Sequence, residues 1–240
     1  MKGVILAGGY GTRLRPLTNV VNKHLLPVYD RPMISYPLET LKKSGIDEIM
    51  IVSESAHVGQ FSNFLKGGEG YDVRLAYAAQ NGAGGIAEAL SLAKDFAGSD
   101  PLAVILGDNI FEDTFSADVS AFTKGAKIFI KPVSDPQRFG VPVFSGDRIT
   151  AVEEKPEHPK SKFAVVGLYL FDNTVFDIIT KLKPSARGEL EVTDALNAYA
   201  KRGALAHALL AGHWADAGTF ESLLATSNWV ANRSGGIHEV

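Results

Sequence analysis

A short apolar segment near the start of the chain runs directly into a glycine-rich turn. Positions 4–7 are all apolar, and positions 8–13 read Gly-Gly-Tyr-Gly-Thr-Arg. Because glycine lacks Cβ and adopts positive φ at little cost, such a turn lets backbone N–H groups approach a ligand closely. Successive N–H groups in a turn form a concavity that binds anions. With the positive charges of Arg13 and Lys23 nearby, this segment predicts a strand followed by a phosphate-binding loop.

Apolar runs and helical patterns alternate along the chain. Strands are predicted at 2–7, 48–53, 73–78, 102–106, 126–131, 141–144, 148–152, 164–171 and 205–210. Helices are predicted at 32–44, 57–65, 86–96, 115–123, 191–202 and 220–230. This alternation of apolar and helical segments predicts an α/β fold. We expect a doubly wound, mostly parallel (mixed) sheet of Rossmann-like type, with helices on both faces. We expect residues 1–240 to form a single domain, because no low-complexity linker interrupts them.

The charge and the cysteine content exclude several classes of protein. A formal net charge of −3 argues against a general binder of nucleic acid or of anionic membranes. The absence of cysteine excludes disulfides, thiolate catalysis and cysteine-ligated metals. The sequence shows neither a signal-peptide pattern nor an apolar run near the ~20 residues that span a membrane. We therefore expect a cytoplasmic protein.

Two aspartates lie where a doubly wound sheet would present them to a ligand. Asp108 follows the predicted strand at 102–106, and Asp216 precedes the last predicted helix. Ligands of such sheets bind at the carboxyl ends of the strands, so we expect the glycine-rich turn, Asp108 and the residues after Ala78 on one rim. Each aspartate alone could be a turn or helix cap. Beside a phosphate-binding loop the functional interpretation is favoured, because Mg²⁺ is held by one or two carboxylates plus substrate phosphates.

Six motifs resemble, in order, those of the sugar-1-phosphate nucleotidyltransferases. They are Gly-Gly-x-Gly-Thr-Arg-Leu-x-Pro-x-Thr at 8–18 with Lys23, Leu-Gly-Asp-Asn at 106–109, Glu-Glu-Lys-Pro at 153–156, Val-Gly-Leu-Tyr at 166–169, Arg-Gly-Glu-Leu-Glu-Val-Thr-Asp at 187–194 and Trp-Ala-Asp-Ala-Gly-Thr at 214–219. One short motif arises easily by chance, whereas six in one order do not. The resemblance extends over nearly the whole chain.

The resemblance implies transfer of a nucleotidyl group from a pyrimidine nucleoside triphosphate to a sugar 1-phosphate, with release of pyrophosphate. It implies Mg²⁺ as the cofactor, held by Asp108 and Asp216. The motifs are most similar to those of members that use dTTP and glucose 1-phosphate, with UTP as the alternative nucleotide. We expect a nucleotide-binding half at 1–132, a sugar-binding half at 133–240 and a homo-oligomer.

The same resemblance assigns roles to individual positions. The nucleotide is expected to be bound by Leu6, Gly8, Gly9, Gly11, Thr12, Arg13, Lys23, Gln80, Gly85 and Asp108. The sugar phosphate is expected to be bound by Gly140, Glu154, Lys155, Val166 and Arg187. Catalysis is expected to depend on Arg13, Lys23, Asp108 and Lys155. Since the attacking phosphate is already an anion, these residues act by positioning and charge stabilisation rather than as a strong base.

Several of these positions keep a second interpretation. Glu154 and Lys155 could form a solvated strand edge, and both face a cleft only if the chain bends before Pro156. Arg187 could bind the sugar phosphate or pair with the neighbouring Glu189 and Glu191.

The chain departs from the family pattern at two positions. Ala83 replaces a proline in the glycine-rich segment after Gln80, whose amide is expected to match the edge of a pyrimidine base. Phe139 stands where tyrosine is usual, which removes a hydroxyl near the sugar. The departures put the fine shape of the base and sugar pockets in question.

Two other functions are weighed against this one. A nicotinamide-dependent dehydrogenase would need Gly-x-Gly-x-x-Gly, but the segment at 9–14 ends in leucine and lacks the acidic residue expected about 20 residues later. A non-catalytic sugar-nucleotide sensor would use the same pocket without needing the metal-binding carboxylates. Larger members of the dTTP group continue with further helices, so we expect active-site chemistry without the full regulatory nucleotide site.

Overall fold

The computed structural model describes residues 1–82 and 84–233, so the departure at Ala83 lies outside the described residues. The strands are β1 (Lys2–Leu6), β2 (Pro27–Val28), β3 (Arg31–Pro32), β4 (Glu48–Glu54), β5 (Arg74–Gln80), β6 (Leu102–Leu106), β7 (Asn109–Phe111), β8 (Ala126–Pro132), β9 (Gly140–Ser145), β10 (Arg148–Glu154), β11 (Phe163–Phe171), β12 (Leu205–Leu209) and β13 (Trp214–Asp216). The helices are α1 (Ser35–Lys43), α2 (Val58–Leu65), α3 (Ile86–Ser91), α4 (Lys94–Ala97), α5 (Ser116–Ala121), α6 (Thr174–Ile179), α7 (Val192–Lys201) and α8 (Phe220–Arg233).

A seven-stranded sheet in the order β12-β8-β11-β6-β1-β4-β5 forms the centre of the fold. β1 pairs in parallel with β4 and β6, β4 pairs in parallel with β5, and β8 with β12. β11 is antiparallel to both β6 and β8. The predicted mixed, mostly parallel sheet is confirmed. Its carboxyl ends at β1, β5 and β6 form one rim.

Helices cover both faces of the sheet, as predicted. On one face, α2 buries Phe61 in the same apolar cluster as Ile5 of β1. On the other face, α7 buries Leu196 in the same cluster as Val4. Neighbouring side chains of a strand point to opposite faces. The uninterrupted apolar run at 4–7 therefore arises because β1 is buried on both sides.

The single helix predicted at 86–96 is wrong, because this segment forms two helices. α3 ends at Ser91 and α4 begins at Lys94. Between them, Ala93 N–H donates to Leu90 O, which is the bond of a tight turn. The turn buries Ala93 and Ala97 completely. Burial of these alanines thus overrides the tendency of an alanine-rich segment to continue as one helix.

Several short elements were not predicted, namely α6 and the strand pairs β2–β3 and β7–β13. No helix in the described ranges 1–82 and 84–233 is long and apolar enough to cross a membrane. The cytoplasmic location stays a prediction.

Candidate active site

The glycine-rich turn follows β1 as predicted and adopts conformations that favour glycine. Gly9 has a φ of 93° and Gly11 a φ of 56°. The Thr18 hydroxyl donates to Gly11 O at 2.8 Å, which closes the loop on itself. None of the described residues accepts a hydrogen bond from the backbone N–H groups of 8–11. These donors are therefore available to an anion at the end of β1.

The short antiparallel pair of β7 and β13 brings the two predicted aspartates together. In its register Asn109 lies opposite Asp216. Just outside the pair, Ala217 N–H donates to Asp108 O at 2.9 Å. Asp108 and Asp216 consequently face the same space beside the glycine-rich turn.

The Asp108 carboxylate is buried and paired with Lys23. Lys23 Nζ lies 2.5 Å from Asp108 Oδ2, and Asn109 Nδ2 donates to Asp108 Oδ1 at 2.9 Å. Burial raises the pKa of Asp108, but the Lys23 charge and these hydrogen bonds outweigh it and hold the pKa below its usual value. Asp108 is thus a carboxylate at neutral pH.

Asp216 faces the same site and is repelled by the charge of Asp108. Gly218 N–H donates to Asp216 Oδ1 at 2.9 Å. Burial and the negative charge of Asp108 raise the pKa of Asp216, while Lys23 and Arg13 oppose that rise. A site whose carboxylates repel each other is stabilised by added positive charge.

The two aspartates converge on one point beside Gly218 and offer oxygen ligands of the kind that a small divalent cation prefers. A Cβ built on Gly218 would lie 2.7 Å from Asp216 Oδ1 and 3.5 Å from Asp108 Oδ2. The same point is 2.9 Å from Arg13 Nη2. Within residues 1–82 and 84–233, no cluster of three or more His, Cys, Asp or Glu side chains could hold a metal. A cation held here would need further oxygens from a bound phosphate, which is the common arrangement for Mg²⁺.

His24 is buried directly behind the loop that carries Asp108. Its Nδ1 lies 2.8 Å from Asn22 Oδ1, and its ring lies against Gly107, where a Cβ would be 2.7 Å from His24 Cδ2. Burial and the neighbouring Lys23 charge lower the pKa of His24 to about 3. The imidazole is therefore neutral at pH 7 and donates from Nδ1 to Asn22, because the amide oxygen can only accept.

This buried histidine should make the folded protein sensitive to acid. Between about pH 6.5 and pH 3 the unfolded chain protonates His24 and the folded chain does not, so the free energy of unfolding falls as the pH falls. We expect the slope between pH 6 and pH 4.5 to be shallower in His24→Gln by about 1 kcal/mol per pH unit. Denaturant unfolding in the presence of EDTA measures this pH slope. Equal slopes in the wild type and in His24→Gln would contradict the neutral, buried state assigned to His24.

Two adjoining pockets collect most of the predicted site residues. A cleft of about 600 Å³ is lined, among the predicted residues, by Gly9, Gly11, Thr12, Arg13, Lys23, Asp108, Gly140, Glu154, Lys155 and Asp216. A smaller pocket of about 210 Å³ is lined by Leu6, Gly8, Gln80 and Gly85, and shares Gly9, Lys23 and Asp108 with the cleft. Of the predicted site residues, Val166 and Arg187 line neither.

The chain bends at Lys155, as the prediction that Glu154 and Lys155 both face a cleft requires. Lys155 has a φ of 44°, a left-handed conformation that is costly for a residue with a side chain. Its N–H donates to Phe139 O at 3.0 Å, next to the position where Glu154 pairs with Gly140. The bend turns both side chains toward the cleft.

β11 supplies another wall of the cleft through alternate residues. Val165 and Gly167 line the cleft, whereas the Val166 side chain is fully buried in the apolar cluster of the opposite face. The pairing of β11 with β8 is interrupted between Val165 and Tyr169. Gly167 N–H donates instead to Asn109 Oδ1 at 3.1 Å. A contact of Val166 with a ligand would therefore involve its backbone, as the family resemblance implies.

Arg187 is held by glutamates. Its Nη2 lies 2.8 Å from Glu191 Oε2 and 3.1 Å from Glu154 Oε1. A third carboxylate oxygen, Glu189 Oε2, lies 3.6 Å away. The structure thus shows the ion pairs of the second interpretation, and binding of a sugar phosphate by Arg187 stays a prediction. Glu154 lines the cleft and connects Arg187 to it.

Two residues of the cleft were not predicted to have a role in the site. Asn109 Oδ1 accepts from Trp214 Nε1 at 2.6 Å and from Gly167 N–H, so it joins β7, β13 and β11. Trp214 packs edge-on against Phe139, with ring centroids 5.3 Å apart. The signal in the sequence was their place in two of the family motifs, at 106–109 and at 214–219.

These features define an α/β enzyme in which a glycine-rich turn, basic side chains and two carboxylates meet at the carboxyl ends of parallel strands. The chain belongs to the nucleotidyl transferase family, whose model matches residues 2–233.

Within this family the chain is similar to curated glucose-1-phosphate thymidylyltransferases. It is 46% identical over 236 residues to that of Mycolicibacterium smegmatis, which covers 96% of this chain and 82% of that protein. It is 43% identical over 237 residues to that of Neisseria meningitidis serogroup A, with the same two coverages.

Two solved structures confirm the nucleotidyltransferase fold. A Bacillus anthracis protein provisionally named glucose-1-phosphate thymidylyltransferase, in complex with sucrose, matches with a TM-score of 0.93 and 48% identity. That match covers 100% of this chain and 98% of the other. UDP-glucose pyrophosphorylase complexed with UDP-glucose matches with a TM-score of 0.85 and 27% identity, covering 97% and 98% of the two chains.

Proposed function

We propose that the protein transfers a thymidylyl group from dTTP to glucose 1-phosphate and releases pyrophosphate. The observation that carries the proposal is the convergence of four charged side chains where the two pockets meet, namely Arg13, Lys23, Asp108 and Asp216. The smaller pocket presents an amide suited to a base, and the cleft presents the basic groups suited to phosphates. The relatives with 46% and 43% identity carry this activity in their names.

On the nucleotide side, the free N–H groups of the turn at 8–11 would bind phosphate oxygens. Arg13 makes no ion pair or hydrogen bond with another described residue, and its Nη2 faces the space at Gly218. A guanidinium left unpaired at that point is available for the charge that develops on the departing pyrophosphate. Lys23, already fixed beside Asp108, would hold the triphosphate next to that carboxylate.

We assign Mg²⁺ to the space between Asp108 and Asp216. Nucleotidyltransferases of this family generally use a divalent metal, and two desolvated carboxylates whose charges repel each other suit such an ion. When bound, the ion offsets the negative charge of the phosphates. Because Lys23 pairs with Asp108 and Arg13 faces the same space, this chain places two positive side chains at the site in the absence of metal.

On the sugar side, Glu154 would accept a hydrogen bond from a sugar hydroxyl, and Lys155 would bind the sugar phosphate. Both roles are supported by the bend at Lys155, which places the two side chains along the same cleft. Gly140 lines the same cleft, and its backbone packs closely on Thr193, since a Cβ on Gly140 would lie 3.1 Å from Thr193 Cγ2. Phe139 packs on Trp214 and contributes an apolar surface where relatives have a hydroxyl.

The reaction is a single displacement. A phosphate oxygen of glucose 1-phosphate forms a bond to the α-phosphorus of dTTP, and the bond from that phosphorus to the bridging oxygen of the β-phosphate breaks. Pyrophosphate leaves with the bonding electrons. The nucleophile is already ionised, so the task of the site is to bring two anions together in line and to stabilise the charge that develops.

The comparisons favour dTTP over UTP as the nucleotide. The curated matches to thymidylyltransferases have 42–46% identity, whereas the match to UDP-glucose pyrophosphorylase has 27%. Thymine and uracil differ by one methyl group, worth only about 1 kcal/mol in an apolar contact. We therefore expect a preference for dTTP rather than strict exclusion of UTP.

We further infer that the two halves, 1–132 and 133–240, act as one domain, because β11 of the second half pairs with β6 of the first. The homo-oligomer and the incomplete regulatory site stay predictions.

A matrix of nucleotides against sugar 1-phosphates tests the proposed function. With Mg²⁺ present, we expect the fastest pyrophosphate release from dTTP with glucose 1-phosphate and a slower rate with UTP. Omitting the sugar phosphate, or adding excess EDTA, should abolish release. Binding of the nucleotide without release under any combination would instead identify a sugar-nucleotide sensor, and a higher kcat/KM for UTP would identify a uridylyltransferase.

A further inference from the structure

Glu88, on the first turn of α3, contacts the amide that is expected to read the base. Gln80 Nε2 donates to Glu88 Oε2 at 3.1 Å and reaches Gly85 O at 3.5 Å. Gln80 is only 4% exposed, so its amide has little freedom to exchange these partners for water. Glu88 has no other role in the site as described above.

The chemistry of these partners fixes which end of the Gln80 amide faces them. An ionised carboxylate and a backbone carbonyl can only accept hydrogen bonds, so the group that faces both must be the NH₂. The opposite orientation would place the amide oxygen against two acceptors and lose both bonds. Glu88 and Gly85 therefore determine the orientation of the amide.

The other end of the amide, Gln80 Oε1, is left for a ligand. It lies beside the first glycine of the turn, 2.9 Å from the point where Gly8 would carry a Cβ. Among residues 1–82 and 84–233, no group donates a hydrogen bond to it. Gly8, Gln80 and Gly85 all line the pocket of about 210 Å³. A carbonyl oxygen that accepts no hydrogen bond from the described residues thus lies at the proposed base pocket.

We propose that Glu88 is a positioning residue for base selection, which it achieves by holding Gln80 with its oxygen toward the base. The inference rests on the proposed function, since it assumes that a nucleotide base occupies the smaller pocket. Thymine and uracil offer an N–H at ring position 3, which matches an acceptor. Cytosine has a lone pair at that position, so its ring nitrogen and Gln80 Oε1, both acceptors, would face each other unless the ring shifts. A buried acceptor left without its donor costs far more than a lost apolar contact.

Gly84 makes this arrangement possible. A Cβ built on Gly84 would lie 1.4 Å from Glu88 Oε2, so the carboxylate occupies the space that a side chain would fill. Gly84→Ala should displace the Glu88 carboxylate from Gln80 without changing any charge. This substitution provides a second, independent way to free the amide.

The test compares dTTP with dCTP in four variants. In Glu88→Ala and in Gly84→Ala the amide can rotate and present its NH₂, so we expect the dTTP/dCTP ratio of kcat/KM to fall about tenfold, mainly through KM. Glu88→Gln should restore most of the ratio, because its amide oxygen still accepts from Gln80. Ser91→Ala removes only the hydroxyl bond to Glu88 O and should leave the ratio unchanged.

Direct binding of dTTP and of dCTP, measured by calorimetry without sugar phosphate, separates this inference from the proposed function. A wild type that binds dTTP selectively but releases no pyrophosphate would refute the proposed transfer, and loss of that binding selectivity in Glu88→Ala would still support the role of Glu88. An unchanged dTTP/dCTP ratio in Glu88→Ala would overturn the inference, and so would an equal loss for both nucleotides. If Glu88→Ala fails to fold, the ratio in Gly84→Ala decides the inference by the same criteria, with Glu88→Gln expected to keep most of the wild-type ratio.

Discussion

Replacing Arg13 with alanine is expected to lower kcat about 1000-fold while the protein remains folded. Arg13 lies in the 3₁₀ turn after Gly11, lines the cleft and pairs with no other described residue, so the fold loses little when its side chain is removed. Its charge already lowers the pKa of Asp216, which shows that it acts on the space between the aspartates. The loss should appear in kcat rather than in the KM for glucose 1-phosphate, because the charge it stabilises grows only as pyrophosphate departs.

Arg15→Ala is the matched control for this substitution. Arg15 is an exposed arginine two residues further along the same motif, and it lines neither pocket. We expect its kcat to stay within about twofold of the wild type, as for surface changes away from special features. A near-normal kcat in Arg13→Ala, with Tm unchanged in both variants, would remove Arg13 from the catalytic machinery.

Asp108→Asn is expected to lower kcat by about 1000-fold or more and to weaken the response of the rate to Mg²⁺. The substitution keeps the size of the side chain, but it removes a charge that contacts Lys23 at 2.5 Å and faces Asp216. Asp108 fixes Lys23 and is the proposed ligand of the metal, so its replacement should lower the rate more than the loss of a single hydrogen bond would. The removal of the repulsion on Asp216 should offset part of the lost ion pair, so the protein should fold.

The control for this variant is Asp113→Asn. Asp113 follows the same β7 segment and accepts from Gly212 N–H at 2.8 Å, which an asparagine oxygen can also do. The dependence of the rate on Mg²⁺ concentration should be the same in Asp113→Asn as in the wild type. Asp108→Asn should need a higher Mg²⁺ concentration to reach its half-maximal rate. Wild-type turnover and an unchanged Mg²⁺ dependence in Asp108→Asn would refute the metal assignment.

The sequence predicted well those elements whose cause is local. Strand β1 and its glycine-rich turn follow from an apolar run and from glycines that adopt positive φ. The bend at Lys155 was expected only if Glu154 and Lys155 both face the cleft, as the family resemblance implies, and the chain does bend there. The mixed sheet followed from the order of apolar and helical segments, since parallel strands need helical crossovers.

The sequence did not predict those elements that depend on distant partners. β7 is three residues long and exists because it pairs with β13, so no periodicity marks it. The break between α3 and α4 comes from burial of Ala93 and Ala97, which no propensity of an alanine-rich segment reveals. The contact of Glu88 with Gln80 was missed for a related reason, because it depends on where α3 begins relative to the end of β5.

The pairing of β7 with β13 also sets the order in which a growing chain can become an enzyme. The bond from Trp214 to Asn109 joins residues 105 positions apart. A nascent chain that has left the ribosome only as far as β12 lacks Asp216, so one carboxylate of the proposed metal site has yet to be made. Catalytic competence therefore cannot arise before β13 is available to pair with β7.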